Sequence, residues 1–287
     1  MGIMSAPHLI DTNRPEAVAE AVKAVFKGIG GEASFPLIDR VFADISDFFE
    51  GRRAGYQAID MEYHDFEHTL QVTMCLTYLL EGRSFASASP VLEIRAWELA
   101  VMAALLHDTG FLKETCDDEG TGAKYTFVHE HRSCKFARRY LPELALTKTE
   151  IEDICSAVMC TGPRNDITKA TFRCEEARQI ALILVSSDYL AQMSAADYLE
   201  KLPRLYLEFE EAFKMNNVPP EERPYHSLEE LLEMTPGFWN GYVLPLLENE
   251  ACGTYKYLAV NKPTNPYLDS IEENLEKLRG QLAECAK

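Results

Sequence analysis

The stretch that decides the fold is Ala103-Ala104-Leu105-Leu106-His107-Asp108-Thr109-Gly110, an apolar run ending in an adjacent imidazole and carboxylate just before a glycine. The run begins near Val91, and the core-like sequence from Val91 to Leu106 predicts a buried helix. Its end carries His107 and Asp108 into the interior, not onto a solvated face. Buried ionisable groups need partners. Three further stretches supply them: Tyr63-His64-Asp65-Phe66-Glu67-His68 upstream, and Thr126-Phe127-Val128-His129-Glu130-His131 and Ser186-Ser187-Asp188-Tyr189 downstream. The four read together as one metal site.

Around them the periodicity is helical. Residues 15–29 and 36–50 space their apolar positions as helices do, the second with Leu37, Val41, Phe42, Ile45, Phe48 and Phe49 in a wide stripe that Gly51 ends. Residues 66–80 predict a mostly buried helix. A loop from Lys113 to Lys124 follows the doublet, acidic at Asp117-Asp118-Glu119, expected to be flexible and placed to border the site. Helices are expected again at 128–141 and at 148–160, the latter ending at Thr161-Gly162-Pro163, and at 174–191. The pattern over 195–214 should be kinked or divided by Pro203. Shorter helices fit 227–234 and 237–249, and 267–283 places Leu268, Ile271, Leu275, Leu278 and Leu282 on one side. With no strand pairs, no internal repeat and no marked boundary, the expected fold is all-α: one helical domain over 1–287, with added N- and C-terminal helices.

Twenty-eight basic against 46 acidic residues give a net charge of −18, which repels an extended polyanion such as a nucleic-acid duplex. A small anion can still bind where metal ions reverse the local field. The composition, 47% hydrophobic and 26% charged, is that of a soluble globular protein, with no apolar stretch long enough to span a bilayer. Met1 to Asp11 lacks a basic region followed by an apolar one, and Ala6 breaks the myristoylation pattern, so a cytoplasmic location is expected. The eight cysteines form no CxxC pair and read as reduced thiols, Cys155 and Cys160 as packing residues.

Five of the seven histidines, at 64, 68, 107, 129 and 131, fall in three short helix-associated clusters, whereas His8 and His226 read as surface residues. His64 and His68, four apart, share a helical face. Imidazole nitrogen with carboxylate oxygen suits a divalent cation: manganese, iron, magnesium, zinc, cobalt or nickel. His68, His107, Asp108 and Asp188 would hold one ion; a second would share Asp108 as a bridge and take His129. Two such ions can hold a hydroxide and neutralise phosphate oxygens, which phosphoester hydrolysis needs. Asp108 is then catalytic as well as a ligand. His64, not required as a ligand, is the expected proton donor to the leaving oxygen. Lys113, Lys124 and Arg132 flank the site and are candidate phosphate contacts. His131, about 200° around a helix from His129, should point away from the ions.

The order His68, then His107-Asp108, then Asp188 resembles the HD-domain superfamily of metal-dependent phosphohydrolases, over about Tyr63 to Phe213. Tyr63 to His68 is moreover similar to the tyrosine-histidine-asparagine segment of class I cyclic nucleotide phosphodiesterases. That likeness implies His64 as proton donor and His68 as ligand. His129-Glu130 before Arg132-Ser133 looks like the bacterial members in which such a histidine serves the second metal. The chain departs where the phosphodiesterases carry another histidine, having Phe111, and where many two-metal members carry one near a helix end, having Met159-Cys160-Thr161-Gly162. It also lacks a match to the glutamine-and-aromatic purine clamp.

The resulting expectation is a phosphohydrolase of a nucleotide or another small phosphomonoester or phosphodiester, using a metal-bound hydroxide and one or two divalent ions. Its partner is a small phosphorylated substrate, with a homodimer left open and a membrane or a nucleic-acid duplex not expected. Two alternatives use the same residues: a di-iron oxygenase similar to myo-inositol oxygenase, and a non-catalytic sensor retaining a metal.

Overall fold

The computed structural model describes residues 10–162 and 165–285. The readings made on residues 1–9, His8 among them, and on Pro163 lie outside the described residues. The fold is all-α: among the described residues ten α-helices and several short 3-10 and π turns form no strand, and one isolated antiparallel bridge joins Tyr56 to Glu114.

In chain order the helices are α1 (Pro15–Gly28), α2 (Phe35–Phe49), α3 (Phe66–Phe85), α4 (Ile94–Leu106), α5 (His129–Tyr140) and α6 (Lys148–Met159). They continue as α7 (Glu175–Ser194), α8 (Tyr198–Met215), α9 (Leu228–Phe238) and α10 (Pro266–Cys285). Helices α3, α4 and α7 form the centre, with α3 packed most extensively on α7, α6 against both α4 and α7, and α10 on the outer side of α7. Because α3 and α7 are covered on nearly all sides, their polar residues must be satisfied internally. Thr73 and Thr77 donate to the carbonyls of Thr69 and Thr73 at 2.8 and 2.7 Å, and Ser186 and Ser187 donate to Leu182 and Leu184 at 2.7 and 2.8 Å.

The helix before the doublet starts at Ile94, three residues later than its apolar run suggests, with Glu93 extended at its N-cap. Pro203 does not divide α8, which runs unbroken from Tyr198 to Met215. It lies in the second turn, so a single backbone bond is lost near the helix start. The segment after α9 continues as π turns at Trp239–Val243 and Leu246–Glu250, not as a separate regular helix. Of the expected stripe on α10, Ile271, Leu275 and Leu278 are buried and Leu268 and Leu282 partly buried, with Tyr267 buried beside them.

The 113–124 loop is fastened, contrary to its expected flexibility. Lys113 Nζ binds Asp60 Oδ2 at 2.9 Å, Gly122 N donates to Asp60 Oδ1 at 2.8 Å, and the Thr121 hydroxyl donates to Glu211 at 2.8 Å. Gly122–Tyr125 forms a 3-10 turn, with Ala123 packed beside Phe111 and Met61. The seven cysteines whose side chains are described are free thiols. Among the described residues no helix is long and apolar enough to cross a membrane.

Candidate metal centre

Four elements bring the candidate ligands together. Asp65 caps α3 by accepting from His68 N at 2.8 Å, which fixes His68 in the first turn. His107 and Asp108 follow the last residue of α4, and their turn is clamped by Ser133 of α5. The Ser133 hydroxyl donates to His107 O at 2.5 Å and accepts from Gly110 N at 2.8 Å. Asp188 lies near the middle of α7.

The ligand atoms of His68, His107 and Asp188 lie within 4.8 Å of one another, a group able to hold a metal ion. His68 Nε2 is 3.2 Å from Asp188 Oδ1, and His107 Nε2 is 3.7 Å from the same oxygen. Asp108 Oδ2 lies 3.5 Å from His68 Nε2 and 3.2 Å from His107 Nε2. Two ligands of one ion, each about 2.1 Å from it and roughly 90–109° apart, are about 3.0–3.4 Å from each other; the two 3.2 Å separations fall in that range and those of 3.5 and 3.7 Å lie slightly beyond it.

Hydrogen bonding points the same way. His107 Nδ1 donates to Ala104 O at 2.7 Å, which leaves Nε2 facing the cluster as the nitrogen that a proton or a cation can occupy. Although His107 Nε2 and Asp108 Oδ2 are close, they are not aligned as a hydrogen bond; both are buried without a partner. Buried lone pairs left unmatched are costly, and a cation satisfies both. Burial disfavours charge on His107, but Asp108 and Asp188 outweigh it and push its pKa up to about 9. Burial also acts against the Asp108 carboxylate, yet His107, His64 and His68 hold it well below the usual carboxylate range. The same carboxylates that favour imidazolium attract a metal cation.

His64 is held by a residue that local motif reading missed. Its Nδ1 lies 2.7 Å from Glu208 Oε2, while Glu208 Oε1 accepts from Glu62 N and Tyr63 N at 3.0 and 2.7 Å. The signal was present in α8: Lys201, Leu205, Glu208 and Ala212 keep inward helical spacing, and charged residues there demand buried partners. Lys201 meets that demand 3.2 Å from both Asp65 Oδ2 and Glu67 Oε2, fastening the cap of α3. The Tyr63 hydroxyl donates to Gln192 at 2.6 Å.

His129 stands at the start of α5 with Nδ1 donating to Thr126 O at 2.8 Å and Nε2 3.7 Å from Asp108 Oδ1. Phe111 fills the space between it and His64, its ring 4.5 Å from His129 at 11° and 4.9 Å from His64 at 25°. His131 and His226 are exposed. The three candidate phosphate contacts are all engaged elsewhere. Lys113 holds Asp60 and Gly120 O; Lys124 pairs with Asp117 and Glu119 O. Arg132 donates to Gly110 O and Leu112 O at 2.6 and 2.8 Å while stacking on Tyr125. They brace the loop and the doublet.

No family model matches the chain, and no curated protein matches it.

Proposed function

We propose that the chain is a metal-dependent phosphohydrolase of the HD type, hydrolysing a nucleotide or another small phosphomonoester or phosphodiester. The observation that carries this reading is the convergence of His68, His107 and Asp188 beside the unpartnered Asp108 oxygen, with an imidazole that is not a ligand held at the same place. A divalent cation bound there supplies Lewis-acid activation of water and neutralises charge on phosphate oxygens.

The residues around it do the rest. Glu208 accepts the Nδ1 proton of His64, leaving Nε2 as the ring nitrogen that can deliver a proton to the leaving oxygen. Phe111 stacks on the ring and restricts its rotation. Asp108 turns Oδ2 towards His107 and Oδ1 towards His129, so it is the residue that two ions would share if a second one bound. Since Lys113, Lys124 and Arg132 are occupied, His64 is the cationic side chain left to face a phosphate, and a cation held by the cluster would supply the remaining charge.

A phosphoester panel under manganese, iron, zinc, cobalt, nickel and magnesium tests the activity, and His64→Ala tests the mechanism. The variant should retain its metal yet lose roughly 10²–10⁴-fold in kcat on esters with alkoxide leaving groups, and much less on a nitrophenyl ester, whose leaving oxygen needs little protonation. An equal loss on both, or loss of metal, contradicts the role. Oxygen uptake with two bound irons and no phosphoester turnover contradicts the function itself.

A further inference from the structure

A chain of 46 acidic and 28 basic residues offers a carboxylate to almost any cation, yet three cations on α5 have none among the described residues. Arg132, Lys135 and Arg139 recur at i, i+3 and i+7, so they share one stripe of the helix, and like charges at that spacing repel. Arg132 is tied to the carbonyls of Gly110 and Leu112. Nothing among the described residues forms an ion pair or a hydrogen bond with the Lys135 ammonium or the Arg139 guanidinium, which lies 5.8 Å over the Tyr56 ring.

The stripe borders two adjoining recesses, of about 200 and 40 Å³, that share Tyr56, Phe136 and Arg139. Rings wall the larger one: Phe136 meets Phe48 at 4.7 Å and Tyr56 at 5.8 Å, both edge-to-face. A cavity of about 150 Å³ takes up benzene, so the larger recess has room for one ring. Arg53, also on its wall, pairs with Asp44, but that carboxylate serves Arg40 and the Tyr140 hydroxyl as well. With Glu114 and Glu143 as the other acids, five cations stand against three carboxylates, and the local field is positive on an acidic molecule. Thr109 and Leu112 line the smaller recess, which therefore lies against the turn that follows Asp108. His68, His107, Asp108 and Asp188 line neither recess, so the place is distinct from the metal centre.

We propose that the paired recess binds a small anion carrying one flat ring, the ring against Tyr56 and Phe136 and the acid group at Arg139 and Lys135. The proposal does not depend on the phosphohydrolase reading.

Calorimetric titration of the full chain with benzenesulfonate, a weak ligand for divalent metals, tests it. Methanesulfonate and benzyl alcohol supply the charge and the ring alone. Expected is saturable binding of benzenesulfonate with a Kd below about 1 mM, and binding of both controls weaker by about tenfold or more. Arg139→Gln should weaken benzenesulfonate by about tenfold or more, and Lys135→Gln by about threefold or more. Arg138→Gln removes a neighbouring α5 cation that is paired with Glu152, and should leave the affinity unchanged. All three side chains are exposed, so the variants should keep the fold. No benzenesulfonate binding, a control that binds as tightly, unchanged affinity in Arg139→Gln or Lys135→Gln, or an equal loss in Arg138→Gln overturns the proposal.

Discussion

Glu208 uses both carboxylate oxygens around one short segment: one fixes the backbone of Glu62 and Tyr63, the other orients His64 at 2.7 Å. The electrostatic result follows from opposing causes. Burial disfavours imidazolium, but the Glu208 hydrogen bond, with Asp108 and Asp188 nearby, outweighs it and raises the His64 pKa. A proton donor must be protonated, so activity persists below that raised pKa and falls as pH rises through it. Glu208→Gln removes the charge while keeping an acceptor, leaving burial to dominate. The alkaline limb of the kcat profile should therefore move to lower pH; an unmoved limb in the metal-loaded variant contradicts the pairing. The stability term has the same sign: it is present below the unfolded pKa of about 6.5 and lost as pH rises through the folded value. At this scale His64, His68, His107, Asp108 and Asp188 were legible because they lie in short motifs beside apolar helices. The pairing of Glu208 with His64 was not: the inward spacing in α8 marks Glu208 as needing a partner, but that partner is 144 residues away and only the fold joins them.

At the scale of elements, the approach of α5 to the turn after α4 positions His129 against Asp108. Gly110 allows it: a side chain there would run into the backbone carbonyl of His129. Backbone cannot yield as a flexible side chain can, so Gly110→Ala should destabilise by about 1–3 kcal/mol and displace His129. Gly280, in the last turns of α10, has nothing within reach of an added methyl, and Gly280→Ala should be neutral or stabilising by up to about 1 kcal/mol. Thermal unfolding of the two variants checks the contrast; equal melting temperatures would show that the approach is not tight. Helix existence was legible in the apolar spacing, whereas continuity was not. Pro203 lies where one missing backbone bond is tolerated inside α8, and the 113–124 loop looks mobile in sequence because its fasteners, Asp60 and Glu211, are distant.

For the whole molecule, a net charge of −18 and a buried Asp108 beside a part-buried Asp188 pose one problem, and the helical core answers it by gathering histidines there. Helices α3, α4 and α7 deliver His68, His107-Asp108 and Asp188 because they pack on one another, α3 by its first turn, α4 by its end and α7 by its middle. The apolar patterning that makes the chain all-α thus also carries the site inward. The number of ions was not legible: His129 and Asp108 Oδ1 face one another, but Phe111 occupies the space beside them. The most direct test is anomalous scattering from crystals of manganese-loaded protein, recorded at wavelengths above and below the manganese edge. The account predicts a peak about 2.0–2.2 Å from His68 Nε2, His107 Nε2, Asp108 Oδ2 and Asp188 Oδ1. Bound manganese elsewhere, with no peak among these four side chains, would contradict it.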